Sequence, residues 1–260
     1  MASLLGAAFP TLAAAEGLYL HSIPTTALAR DAAAQRKPLR LRVFVADPSA
    51  LAASLPGAAR SIGAGHVEVE LAGYPELEPS APERYRAASF VIDFDEPDVR
   101  ALRDELVARH GAAPSVDALR RFAGDSIPDK SLDRGFDLAS RVARTGAGDC
   151  TEHAVLLTAL ARAVGRSARV AVGLLLARID GSPQALGHAW SEIHEGGRWL
   201  PVDATPIADE VEELAYLPLS LLGDEGPGYS VALGRGIQRS WVRRVEVSGG
   251  AFPARAGGSR

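Results

Sequence analysis

Between the glycine-bearing turn Thr145–Gly148 and Gly165 lies the segment that most limits how this chain can fold, CTEHAVLLTALARAV. Cys150, Ala154, Leu157, Ala161 and Val164 recur at helical spacing and share one face, which has to point inward. Asp149, followed three residues later by Glu152, makes a capping-box-like start with Asp in place of the usual Ser or Thr. Gly165 is a natural stop. The spacing therefore predicts a helix over 150–164 with a cysteine in its first turn. There the unpaired backbone N–H groups and the positive end of the helix dipole favour a thiolate.

Upstream the texture is that of strands. Leu39–Val45 (LRLRVFV) and Val67–Leu71 (VEVEL) alternate apolar and charged residues with the period of half-buried strands, and Ser89–Phe94 (SFVIDF) reads as a third. The stretch YPELEPSAP from Tyr74 reads as a connecting loop. From Pro97 helical spacing takes over: Val99, Leu102, Leu106 and Val107 predict a helix that Gly111 stops, with shorter candidates over 116–122 and 136–142. Arg169–Ile179 is a buried strand by its apolar run. Residues 21–95 are thus expected to form a β-rich N-terminal region, 96–247 the core that carries the chemistry, and 248–260 a flexible tail. Residues 1–20 form a candidate leader: Met1–Ala15 is apolar and small and ends in Ala-Ala-Ala like a signal-peptidase site, although it lacks an early Lys or Arg. This leans the chain toward a periplasmic or secreted setting rather than the cytoplasm.

Composition narrows the function classes. A hydrophobic fraction of 47% and a charged fraction of 23% are those of an ordinary globular chain. The net charge of −4 offers no basic field to nucleic acid or anionic lipid. No apolar run of about 18 residues exists, so no integral membrane segment is expected. The single cysteine excludes an intrachain disulfide and a multi-cysteine zinc site. A lone cysteine is ordinarily a small buried hydrophobe, and its neighbours decide otherwise here.

Those neighbours include the hairpin HAWSEIHEGGRWLPVDAT. If Gly196-Gly197 is a two-residue turn, Glu195 faces Arg198 and His188 faces Thr205, so His188 and Asp203 are diagonal neighbours on one sheet face. At about 7–8 Å between backbones, an imidazole and a carboxylate can meet. A histidine oriented by a carboxylate, with a thiol at a helix start, supplies what nucleophilic acyl transfer requires.

The stretch GDCTEHAVLLTALARAVGRSARVAVG, then GHAWSEI, then GRWLPVDAT, resembles the transglutaminase-like superfamily of papain-type thiol enzymes, in the manner of its bacterial members. The resemblance covers about residues 100–205. It implies an α+β, papain-like fold, with a Cys-bearing helix packed on an antiparallel sheet and a β-rich region before it. It also implies a triad of Cys150 as nucleophile, His188 as general base and acid, and Asp203 as orienting carboxylate. The implied activity is that of a cysteine peptidase or amidase, or of protein-glutamine acyl transfer, working through a thioester on a peptide or protein substrate and without a cofactor. The upstream tryptophan that serves the oxyanion hole of eukaryotic members is missing, since Trp190, Trp199 and Trp241 all follow the cysteine. The Cys150 N–H is one candidate donor, and Gln184 a candidate for the second.

The rival class is a non-catalytic interaction module that keeps the fold; the presence of all three residues favours the enzyme. Cys150-x-x-His153 lacks further ligands, so His153 is read as structural and no metal is expected. Trp190 and Trp199 are read as core, with Trp190 on the His188 face of its strand. Asp209, Glu210, Glu212 and Glu213 lack the spacing of a calcium loop and are read as a solvated helix face.

Overall fold

The computed structural model describes residues 22–27, 38–55, 57–77, 81–130, 136–179, 181–207, 211, 213–222, 226–227 and 242–252. The candidate leader, Trp241, most of the acidic run and the end of the tail lie outside these residues. The elements in chain order are β1 (Ser22–Ile23), β2 (Thr25–Ala27), β3 (Leu39–Val45), α1 (Pro48–Ser54), β4 (Ala59–Gly63), β5 (His66–Leu71), α2 (Pro97–His110), α3 (Val116–Asp125), α4 (Ala139–Thr145), α5 (Cys150–Ala163), β6 (Ala168–Ile179), β7 (Ser182–Glu195), β8 (Arg198–Val202), β9 (Leu214–Leu221) and β10 (Val242–Gly249). Among the described residues, no helix is long and apolar enough to cross a membrane.

Two sheets result. The first runs β1-β7-β6-β9, with β8 also on β7, and all its pairings are antiparallel. The second runs β2-β10-β3-β5-β4, antiparallel except for the parallel pair β2–β10. The second sheet is therefore not built from the N-terminal residues alone: β10, from the far end of the chain, lies between β2 and β3. One face of the first sheet is shared. Val170, Ala189 and Ile193 pack into the core around α5, while Leu174, Leu176, Ala185 and Leu217 pack against Leu41, Val43 and Val245 of the second sheet. The fold is α+β, with a cysteine-bearing helix on an antiparallel sheet.

Helix α5 departs from the one-faced helix that its apolar spacing predicts. Every residue from Cys150 to Arg162 is buried, because α2, α3 and α4 close around the side that the sheet leaves open. A helix buried all round tolerates Thr151, Glu152, His153, Thr158 and Arg162 only because each polar group finds a partner. Thr158 bonds Ser191 at 2.9 Å, for example, and Arg162 donates to the carbonyls of Ala168 and Ala87.

The segment Ser89–Phe94 is a correction. It is a tight bend rather than a strand: the Ile92 N–H donates to Ser89 Oγ at 3.0 Å, and Asp93 accepts from the backbone N–H and hydroxyl of Ser140. Val91 and Ile92 are fully buried, so the apolar run is real. It plugs the core as a bend, and a short apolar run does not distinguish the two. Helix α4 also begins later than its spacing suggests, at Ala139, and ends on a left-handed Gly146 (φ 59°, ψ 30°).

Candidate active site

The cap that starts α5 is the reciprocal box its sequence announces. Asp149 Oδ1 accepts from the Thr151 N–H and hydroxyl, both at 2.8 Å, and Glu152 Oε2 accepts from the Asp149 N–H at 3.0 Å. Glu152 Oε1 meanwhile accepts from the Asp137 N–H. For Glu152 to fold back this way, the residue before Asp149 has to be glycine: a Cβ on Gly148 would lie 2.2 Å from Glu152 Cβ. His153 completes the helix start. Its Nδ1 donates to the Asp149 carbonyl at 2.6 Å, and its Nε2 accepts from Lys130 at 2.9 Å. Burial lowers His153 to about 4, so at neutral pH the ring is uncharged and its role is structural.

On the other side stands the β7–β8 hairpin. Its register pairs Glu195 with Arg198 and Ser191 with Val202. Gly196 and Gly197 both take positive φ (61° and 79°), as a two-residue turn between right-twisted strands requires. Asp203 follows directly on β8, and its Oδ2 accepts from His188 Nε2 at 2.8 Å. The other oxygen, Oδ1, accepts from the Thr205 N–H at 2.9 Å and its hydroxyl at 2.7 Å. The Tyr216 hydroxyl donates to Oδ2 at 2.9 Å. Both carboxylate oxygens are thus held by donors.

The two sides meet at the sulfur. With Nε2 committed to Asp203, His188 has Nδ1 left. That nitrogen is buried and makes no hydrogen bond of good geometry, yet the ring interacts with the Cys150 thiol closely enough that each alters the other's ionisation. The Ala189 N–H also points at the sulfur.

The electrostatics differ from what the helix start alone suggests. Burial raises the Cys150 thiol, opposed by its contacts with His188. Burial also disfavours the His188 cation, but the charge and hydrogen bond of Asp203 outweigh it and raise the ring to about 10. Asp203 is itself buried, and the histidine and Thr205 hold it below the usual carboxylate value. Burial, and then the charge of Asp149, raise Glu152 to about 7.

Cys150, His188 and Asp203 therefore lie together. Gln184 does not join them. It pairs with Ala177, four residues along β7 from His188, or about 14 Å of strand, and is too far away to be an oxyanion donor. Trp190 is buried and stacks beside the His188 ring with centroids 6.3 Å apart. Two polar neighbours were not anticipated from the sequence. Thr205 had a readable signal, because Asp-x-Thr is an Asx-type turn in which the carboxylate takes the N–H two residues on. Tyr216 had none, since it arrives from β9, two strands away from β7.

Residues 114–204 match the family model of the transglutaminase-like superfamily, a stretch that includes Cys150, His188 and Asp203. Among solved structures, the chain is similar to "a Putative Cysteine Protease from Cytophaga hutchinsonii" at 17% identity and TM-score 0.40, covering 68% of this chain and 75% of that one. It is also similar to the periplasmic domain of TgpA from Pseudomonas aeruginosa. Bound to ethylmercury, that domain matches at 25% identity and TM-score 0.39, over 55% of this chain and 58% of that one. No curated protein matches the chain.

Proposed function

We propose that this protein is a thiol enzyme acting on amide or related acyl bonds of a peptide or protein. Cys150 is the nucleophile, His188 the general base and acid, and Asp203 the carboxylate that fixes the imidazole. The observation that carries the reading is the division of labour on one ring: Nε2 donates to Asp203 at 2.8 Å, which leaves Nδ1 for the thiol of Cys150 at the start of α5.

In the proposed reaction, His188 Nδ1 takes the thiol proton and the sulfur attacks the carbonyl carbon. The oxyanion that forms is stabilised by the Cys150 N–H at the helix start. Collapse breaks the C–N bond, His188 returns its proton to the leaving amine or ammonia, and a thioester remains. Water, deprotonated by His188, then attacks the thioester carbonyl and releases the acid and the free thiol. A lysine amine in place of water would give a cross-link. The bacterial-type resemblance favours hydrolysis.

Because the chain has one cysteine, alkylation reports on this thiol alone. Burial raises the thiol and Asp203 raises the imidazole, so the resting pair keeps its protons into alkaline pH. Iodoacetamide alkylation and peptide turnover are expected to rise together as pH increases above neutrality, and Cys150→Ala should abolish both. A glutamine-peptide library assayed with and without an added amine separates hydrolysis from transfer. Undiminished turnover by Cys150→Ala would rule out the proposal.

A further inference from the structure

Tyr216 stands next to the site without belonging to the motifs that mark it. Its hydroxyl donates to Asp203 Oδ2 at 2.9 Å, the same oxygen that accepts His188 Nε2 at 2.8 Å. Three features place it there. Strand β9 pairs with β6 so that Tyr216 faces Leu175, while Gly173 of β6 faces both His188 and Pro218. The β6–β9 register shifts between Val172 and Gly173. There the β9 backbone closes in so far that a Cβ on Gly173 would lie 2.1 Å from the Leu217 carbonyl oxygen. Finally, the Trp190 ring packs against both groups, 6.3 Å from the His188 centroid and 5.0 Å from that of Tyr216. The indole is fixed in turn, donating from Nε1 to the Tyr74 hydroxyl at 3.0 Å. Tyr74 donates to Glu192, which pairs with the fully buried Arg169.

We propose that Tyr216 is a positioning residue that sets the proton affinity of His188 by sharing Asp203 Oδ2 with it. The proposal rests on the acid–base reading of Cys150, His188 and Asp203. A phenol that donates to a carboxylate oxygen draws charge from it, so the imidazolium bound to that oxygen is stabilised less than it would be by Asp203 alone. Tyr216 thereby tempers the upward pull of Asp203 and keeps the ring nearer to a pH at which it can accept the thiol proton.

The test is the pH profile of iodoacetamide alkylation of Cys150 in the full chain, together with an NMR titration of the His188 ring. Tyr216→Phe removes the donor and leaves the ring packed on Trp190. The His188 titration should move up by about one pH unit, and the alkylation midpoint of Cys150 should move down, because an imidazolium that persists to higher pH stabilises the thiolate. Tyr85→Phe, which removes a buried phenol hydroxyl away from Asp203, should move neither. Asp203→Asn should move the His188 titration down. If Asp203→Asn shifts the His188 titration while Tyr216→Phe leaves that titration in place or moves it down, Tyr216 has no such role and the triad reading stands. If neither Asp203→Asn nor His188→Gln alters the profile, the triad reading itself falls, and this proposal with it.

Discussion

The two sheets bury charge in opposite ways. In the second sheet the alternation is clean: Leu39, Leu41, Val43, Val67 and Val69 point into the core, while Arg40, Arg42, Arg60, Glu68 and Glu70 pair in solvent on the other face. In the first sheet both faces are covered. The face opposite α5 holds Arg169, Glu192 and His188, with Asp203 against them, all nearly inaccessible to solvent. Charges left in water are cheap to keep and cheap to lose. Charges enclosed by protein carry large desolvation costs and have to be matched by partners on every side. The pairing around His188, Asp203 and Glu192 is accordingly elaborate, and that around Glu68 is loose.

The sharpest way to break this contrast is Glu192→Gln. Arg169 would keep a buried cation stacked 4.0 Å over Trp199 with its carboxylate partner neutralised. The expected loss is about 3–5 kcal/mol of unfolding free energy in urea. A loss under about 1 kcal/mol would mean that the buried face is no more demanding than the exposed one.

Next comes pH. His188 titrates near 6.5 in an unfolded chain and is raised to about 10 in the fold. The folded state therefore holds a proton that the unfolded chain releases. The resulting stabilisation is complete below pH 6.5 and is lost as pH rises through about 10. Unfolding free energy should fall across that window, and His188→Gln should flatten the fall. An equal slope in both proteins would show that the ring is not a cation in the fold.

A smaller effect is expected where the cap meets the glycine turn. Gly148→Ala puts a Cβ into Glu152 at 2.2 Å and at φ 156°, so the capping box has to open. A cost of about 1–2 kcal/mol is expected from loss of the cap, with slower alkylation of Cys150 as the helix start shifts. An unchanged melting temperature would show that the box can re-form around a side chain.

What was legible in the sequence follows the range of the interaction. The start of α5 and the β7–β8 turn are local, written in Asp149, Glu152, Gly196 and Gly197, and the diagonal approach of Asp203 to His188 follows from that turn by counting. The meeting of Cys150 with His188 is not local, and only the family resemblance suggested it. Tyr216 and β10 were illegible for the same reason: each acquires its place from strand order, which no periodicity within β9 or β10 encodes. Ser89–Phe94 shows the converse, a local pattern that fits two structures and is decided by the core it fills.

The smallest predicted effect sets the other end of the scale. Arg42 and Glu68 bond at 3.2 Å with side chains 39% and 44% exposed. The bonds from Arg42 and Ser61 hold Glu68 below the usual carboxylate value, but solvent screens the pair and two long side chains must be ordered to make it. Discounted for that exposure, Glu68→Gln should cost less than about 0.5 kcal/mol. Added salt should shrink the difference further, since exposed charges are screened within about 8–10 Å at ordinary ionic strength. Should Glu68→Gln instead destabilise as much as Glu192→Gln, burial would not be what separates the sheets. The polar face around His188 would then need another explanation than enclosure.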